Sequence, residues 1–208
     1  MSYVGVSEAC SDDKVIVDLF TDLSSTNNYI NSIRPRGSVI TMTQSDPTWL
    51  NVLGLSRDIR TIRSIYDCSS SASKTFVGFF TYLEKNDSLC GASTTIVHWG
   101  GTIDGALSTT GLRGIDFTKG GATRLEMTIG PFSGSAYWTL KIDLWDMGAN
   151  TSSVSYETDG TGIAAGFVVP YSYSDFVGVD MTNIGAIRLT ITPSAATLHI
   201  YIQSLRCA

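Results

Sequence analysis

From Arg124 to the end of the chain, apolar side chains recur at every second position. Tyr137 to Trp145 shows it best: Trp138, Leu140, Ile142 and Leu144 alternate with Tyr137, Thr139, Lys141, Asp143 and Trp145. A period of two puts successive side chains on opposite faces of a pleated strand, so one set faces a core and the other faces away. The same period runs through Arg124–Ile129, Ala186–Thr192 and Leu198–Leu205, and through Ser38–Gln44 and Arg57–Ile65 in the first half. Val15–Phe20, Phe76–Leu83, Thr94–Trp99, Ser152–Glu157 and Ala164–Val169 are short runs of β-branched and aromatic residues, which favour strands. No segment carries an apolar stripe at helical spacing. The best helical candidate is one turn near Tyr173–Val177, with Ser174 as a candidate cap.

Many short strands separated by Gly, Pro, Asn and Ser predict an all-β antiparallel sandwich. Its 208 residues suffice for one sizeable core. Residues 1–13 read as an N-terminal arm and 14–208 as a single domain, with 45–75 partly an insertion. The polarity of Arg57–Ile65 suggests an edge strand or a solvated face. Hydrophobic residues make up 43% and charged ones only 16%, which argues against a disordered chain. No apolar run reaches the length of a membrane-spanning helix. A net charge of −5 lacks the basic footprint that nucleic acid requires.

Four cysteines, at 10, 68, 90 and 207, include no Cys-x-x-Cys pair, so zinc spacing is absent. An even count points to two disulfides in an oxidising compartment. The first and last strands of many sandwiches are antiparallel neighbours. That geometry favours Cys10–Cys207 and leaves Cys68–Cys90; four buried thiols are the competing reading. An extracellular or cell-surface location follows, although Met1-Ser2-Tyr3 does not open a signal peptide. Asn86-Asp87-Ser88 and Asn150-Thr151-Ser152 match the N-glycosylation tripeptide and mark candidate surface loops.

The later part of the chain carries Gly114-Ile115-Asp116-Phe117-Thr118, Tyr173-Ser174-Asp175-Phe176 and Val179-Asp180-Met181-Thr182-Asn183-Ile184-Gly185-Ala186-Ile187. This pattern resembles the extracellular jelly-roll domains of bacterial exported proteins of the PEP-CTERM type. Arg57-Asp58 after Gly54-Leu55 is similar to their Gly-Gly-x-Arg-Asp turn, with Leu55 in place of the second Gly. The chain departs from them in lacking a Pro-Glu-Pro tail and in carrying cysteines near both termini. The resemblance implies a jelly-roll β-sandwich and no common activity.

Candidate chemistry is sparse. His98 and His199 lie in strands, and no Gly-x-Ser-x-Gly elbow accompanies them. Paired carboxylates for glycoside cleavage could come from Asp143, Asp146 or Glu126, against the plainer reading of solvated strand acids. No cofactor is expected apart from a structural calcium near Asp12, Asp13 and Asp18, whose spacing is not that of an EF-hand. Trp145, Tyr137 and Tyr201 fall on outward faces and Trp49 follows Asp46-Pro47, so flat rings are available for stacking on a sugar. Packing under loops or at a subunit contact is the competing use.

Two functions remain. One is a non-catalytic extracellular structural protein that assembles with itself or coats a surface, its arm (Ser2, Tyr3, Val4, Gly5, Val6) adding as a strand to a neighbour's edge. The other is a carbohydrate-binding module using its exposed rings. The expected partners are further copies of the chain, or glycans.

Overall fold

A computed structural model describes residues 15–18, 29–32, 39–45, 53, 56–63, 73–78, 82–87, 93–100, 107–130, 137–157, 166–193 and 199–208. The chain forms an antiparallel jelly-roll β-sandwich, with thirteen strands among the described residues. They are β1 (Ile16–Asp18), β2 (Tyr29–Ser32), β3 (Val39–Ser45), β4 (Ser56–Arg63), β5 (Ser73–Gly78), β6 (Tyr82–Asp87), β7 (Ser93–Trp99), β8 (Arg124–Ile129), β9 (Trp138–Asp146), β10 (Thr151–Glu157), β11 (Phe167–Ser172), β12 (Ile184–Pro193) and β13 (His199–Cys207). One sheet has the order β10-β9-β12-β7-β4-β3. The other runs β11-β8-β13-β6-β5-β2, with β1 also on β13. From β7 onward the chain crosses between sheets at each step except the β9–β10 hairpin.

Alternation in the sequence becomes alternation in burial. Trp138, Leu140, Ile142 and Leu144 of β9 are almost wholly buried, as are Ile187, Leu189 and Ile191 of β12. From the opposite sheet Leu125, Met127 and Ile129 of β8 join the same core. Each such side chain contributes about 1.5–3 kcal/mol of transfer free energy, which is why register is tightly held here.

In β13 the period breaks. Ile200 and Ile202 are buried, then Leu205 and Cys207. An irregularity between Ile202 and Ser204 in the pairing with β8 inserts the extra residue that lets both pairs face inward. β1 pairs antiparallel with this half of β13, so the first and last strands are neighbours as expected.

Several expectations need correction. Cys207 is a buried free thiol, not half of a bridge to Cys10. The bulge turns it into the core beside Tyr173, where burial pushes the thiol up to about 12. Cys10, Cys68 and Cys90 lie outside the described residues, as do the arm at Ser2, Tyr3, Val4, Gly5 and Val6, the ring of Trp49, and Asp12 and Asp13.

The run Phe76–Leu83 is two strands of a hairpin, β5 ending at Gly78 and β6 starting at Tyr82. An unbroken apolar run conceals a reversal that its glycine marks. β2 (Tyr29–Ser32) has no counterpart among the strands expected from the sequence. β4 is no insertion: it pairs with both β3 and β7 inside the six-stranded sheet. The helical turn is a three-residue 3-10 turn at Tyr173–Asp175, with Ser172 rather than Ser174 at the cap position. Asn86 lies within β6, not in a loop. Asn150 does sit in a turn, exposed, between β9 and β10.

Candidate functional site

The outward set of β9 meets its counterparts on both neighbouring strands. Register places Ser153 of β10 and Arg188 of β12 on either side of Asp143. Arg188 is in turn opposite His98 of β7, and His98 is opposite Asp58 of β4. One line across the six-stranded sheet thus reads Ser153, Asp143, Arg188, His98, Asp58.

Asp143 is 2% exposed although its strand position faces away from the core. Its neighbours cover it. Arg188 Nε donates to Oδ2 at 2.7 Å, Lys141 Nζ lies 2.8 Å from Oδ1, and the Ser153 hydroxyl donates to Oδ1. Burial pushes the carboxyl up, but hydrogen bonds from Lys141, Ser153 and Arg188 and the Arg188 charge outweigh it, leaving Asp143 below the usual carboxylate range. The cations themselves remain accessible, Lys141 at 40% and Arg188 at 33% of the side chain. One carboxylate between two cations leaves a local charge of +1.

Trp145 follows on the same face, two residues along. The Arg188 guanidinium carbon stands over its ring at 5.0 Å from the centroid, within cation–π range. Arg188 is therefore fixed from two sides, by a carboxylate and by a ring. Around this centre the face is lined with hydroxyls: Thr139, Thr151, Ser155, Thr190 and Thr192, all exposed or half-buried.

The other candidate acids are elsewhere. Asp146 is 1% exposed and turned toward the loops. It accepts from Asn150 N and Nδ2 at 2.9 Å each and from Asp180 N at 3.1 Å. It ties the β9–β10 turn to the loop before β12 and is held below the usual carboxylate range by those donors, the Asn150 amide first. Glu126 belongs to β8 in the opposite sheet, where Arg124 and Arg206 grip it at 2.7 and 3.2 Å. Asp143, Asp146 and Glu126 thus occupy three separate environments and form no acid–base pair across a common cleft. His98 and His199 lie in different sheets. Among the described residues no group of three His, Cys, Asp or Glu is arranged to hold a metal ion, and Asp18 lies in β1.

The expected rings are dispersed. Trp145 is half-buried under Arg188, so one side of the ring is already covered. Tyr137 is 58% exposed just before β9, roughly 25 Å of strand from Trp145 at ~3.3 Å per residue. Tyr201 is on β13 in the other sheet, opposite Glu84. Sequence reasoning missed Arg188, Lys141 and Ser153. Strand parity puts each on an outward face, but only register shows that they converge on Asp143.

No family model matches the chain, and no curated protein matches it. Among solved structures it is similar to a family 11 carbohydrate-binding module from Clostridium thermocellum in complex with a β-1,3-1,4-mixed-linked tetrasaccharide. There the identity is 13%, the coverage 93% of this chain and 94% of that one, and the TM-score 0.41. The C-terminal family 22 carbohydrate-binding module of Clostridium thermocellum Xyn10B is 8% identical over 96% of both chains, with a TM-score of 0.33. The enzymatically active domain of bacteriophage CBA120 tailspike protein 4 is 11% identical over 91% of this chain and 20% of that one, at 0.32. Likenesses at these scores assign no ligand to this chain. Among the described residues no helix is long and apolar enough to cross a membrane.

Proposed function

We infer that the protein is an extracellular, non-catalytic carbohydrate-binding module whose ligand lies on the outer face of the six-stranded sheet. The observation that carries this reading is the fixed polar centre on that face, Asp143 with Lys141, Arg188 and Ser153. Sugar recognition needs donors and acceptors whose positions are set before the ligand arrives, because ordering them on binding costs affinity. Here two cations are held by one buried carboxylate, a ring lies beneath one of them, and side-chain hydroxyls extend the surface along β9, β10 and β12. The test is binding to a panel of soluble polysaccharides by affinity electrophoresis. Retardation by at least one glycan, lost in Trp145→Ala and Arg188→Ala proteins that keep the wild-type circular dichroism, supports the reading. No retardation by any glycan overturns it.

Self-assembly by strand addition is the second reading, favoured by one feature. Among the described residues β10 and β11 are the end strands of their sheets, and they differ: β11 carries Pro170, which cannot donate to a ladder, whereas the seven residues of β10 contain no proline. An oligomer in light scattering that dissociates on deletion of residues 1–9 supports it. An unchanged oligomer, or a monomer at high concentration, removes it.

A further inference from the structure

Resting on the carbohydrate-binding reading, we propose that the sugar recognised at Arg188 and Lys141 is acidic, with its carboxylate bound by the guanidinium fork of Arg188 and the ammonium of Lys141. Arg188 donates to Asp143 through Nε, which leaves Nη1 and Nη2 outside that bond, and its side chain is 33% exposed. Those nitrogens are the planar pair that matches a carboxylate in bidentate geometry. The guanidinium cannot swing freely, since Asp143 holds one side at 2.7 Å and the Trp145 ring lies under it at 5.0 Å. Lys141 is anchored to the other carboxylate oxygen, with its side chain 40% exposed. Asp143, Lys141 and Arg188 together sum to +1, and both cationic side chains are partly exposed.

The chain as a whole carries a net charge of −5. General electrostatics therefore oppose association with a polyanion, and any affinity for one must come from a local site. The hydroxyl-rich rows beside the centre suit the uncharged part of the sugar. A uronate polymer combines both features; a neutral glucan supplies only the second.

The proposal is tested by affinity electrophoresis in gels containing polygalacturonate, alginate, fully methyl-esterified polygalacturonate, a sulfated galactan or a neutral mixed-linkage β-glucan. Retardation by polygalacturonate or alginate is expected, with little by the methyl ester. Arg188→Lys keeps the charge but loses the fork, and is expected to weaken uronate binding about tenfold. Binding of the neutral glucan with no preference for a uronate overturns the acidic-sugar proposal and leaves the carbohydrate-binding reading standing. Retardation by the sulfated galactan equal to that by the uronates, or full uronate affinity in Arg188→Lys, replaces the carboxylate fork with unspecific charge and also overturns it. No retardation in any gel removes both readings together.

Discussion

Each sheet of the sandwich carries on its outer surface one carboxylate held by two cations, and the two centres behave differently. On β9, Asp143 is 2% exposed with Lys141, Arg188 and Ser153 as partners. On β8, Glu126 is 12% exposed at the side chain, and its Arg124 and Arg206 partners are about half exposed, at 48% and 54%. The shorter aspartate stays close to the sheet, where its partners can close over it. The glutamate reaches toward solvent and its arginines follow. The same three charges thus make a preorganised centre in one case and a loose surface cluster in the other. Coulomb attraction strengthens as water is excluded, and so does the penalty for leaving a charge unpaired.

The largest expected effect is on Asp143→Ala. It strips two cations of their anchor and leaves a gap below them. We expect a loss of about 2–4 kcal/mol, below the full cost of breaking a buried pair because both cations are partly solvated. Urea unfolding measures it, and a change within 1 kcal/mol would show the centre to be as loose as the one at Glu126. The next effect is on acid stability. The folded pKa of Asp143 lies below its unfolded value, so its contribution is fully present above the ordinary aspartate value near 3.9 and is lost as pH falls through the lower folded one. Wild type should therefore lose more stability than Asp143→Asn between about pH 4 and pH 2. Asp146 and Glu126 shift in the same direction and remain in both proteins, so the difference isolates Asp143. Parallel stability curves would remove Asp143 as the source.

The two centres were not equally legible in the sequence. Period-two alternation placed β3, β4, β8, β9, β12 and much of β13 within a residue or two, because a half-buried strand writes its burial directly into its sequence. The same period put Asp143 and Trp145 on one face. It could not show that Arg188, 45 residues later, lies beside Asp143, since register between distant strands depends on the whole core and on the irregularity between Ile184 and Ala186. Nor could it anticipate Cys207. Extrapolating the Ile200–Ile202 parity puts residue 207 outside, and the bulge reverses that. The outward rings misled for a similar reason: parity says which way Tyr201 and Trp145 face, not that they belong to opposite sheets.

The smallest effects belong to pairwise coupling, and they sharpen the contrast most. In a double-mutant cycle, Asp143→Ala with Arg188→Ala should show a coupling of about 1–2 kcal/mol, because the Nε–Oδ2 contact is half sheltered and sits over the Trp145 ring. The matching cycle of Glu126→Ala with Arg206→Ala should give less than about 0.5 kcal/mol, as exposed pairs do. Glu126→Ala alone should cost under about 1 kcal/mol, and 0.5 M salt should erase most of that while leaving the Asp143 coupling largely intact. Both pairs join residues on adjacent antiparallel strands in direct register, so strand geometry is matched and burial is the main variable. Equal couplings at low salt would mean that closing water out of the β9 face does nothing for its charges. The rigidity claimed for Arg188 would then have no energetic basis, and its fork would be no better prepared for an anionic group than Arg206 on the opposite side of the molecule.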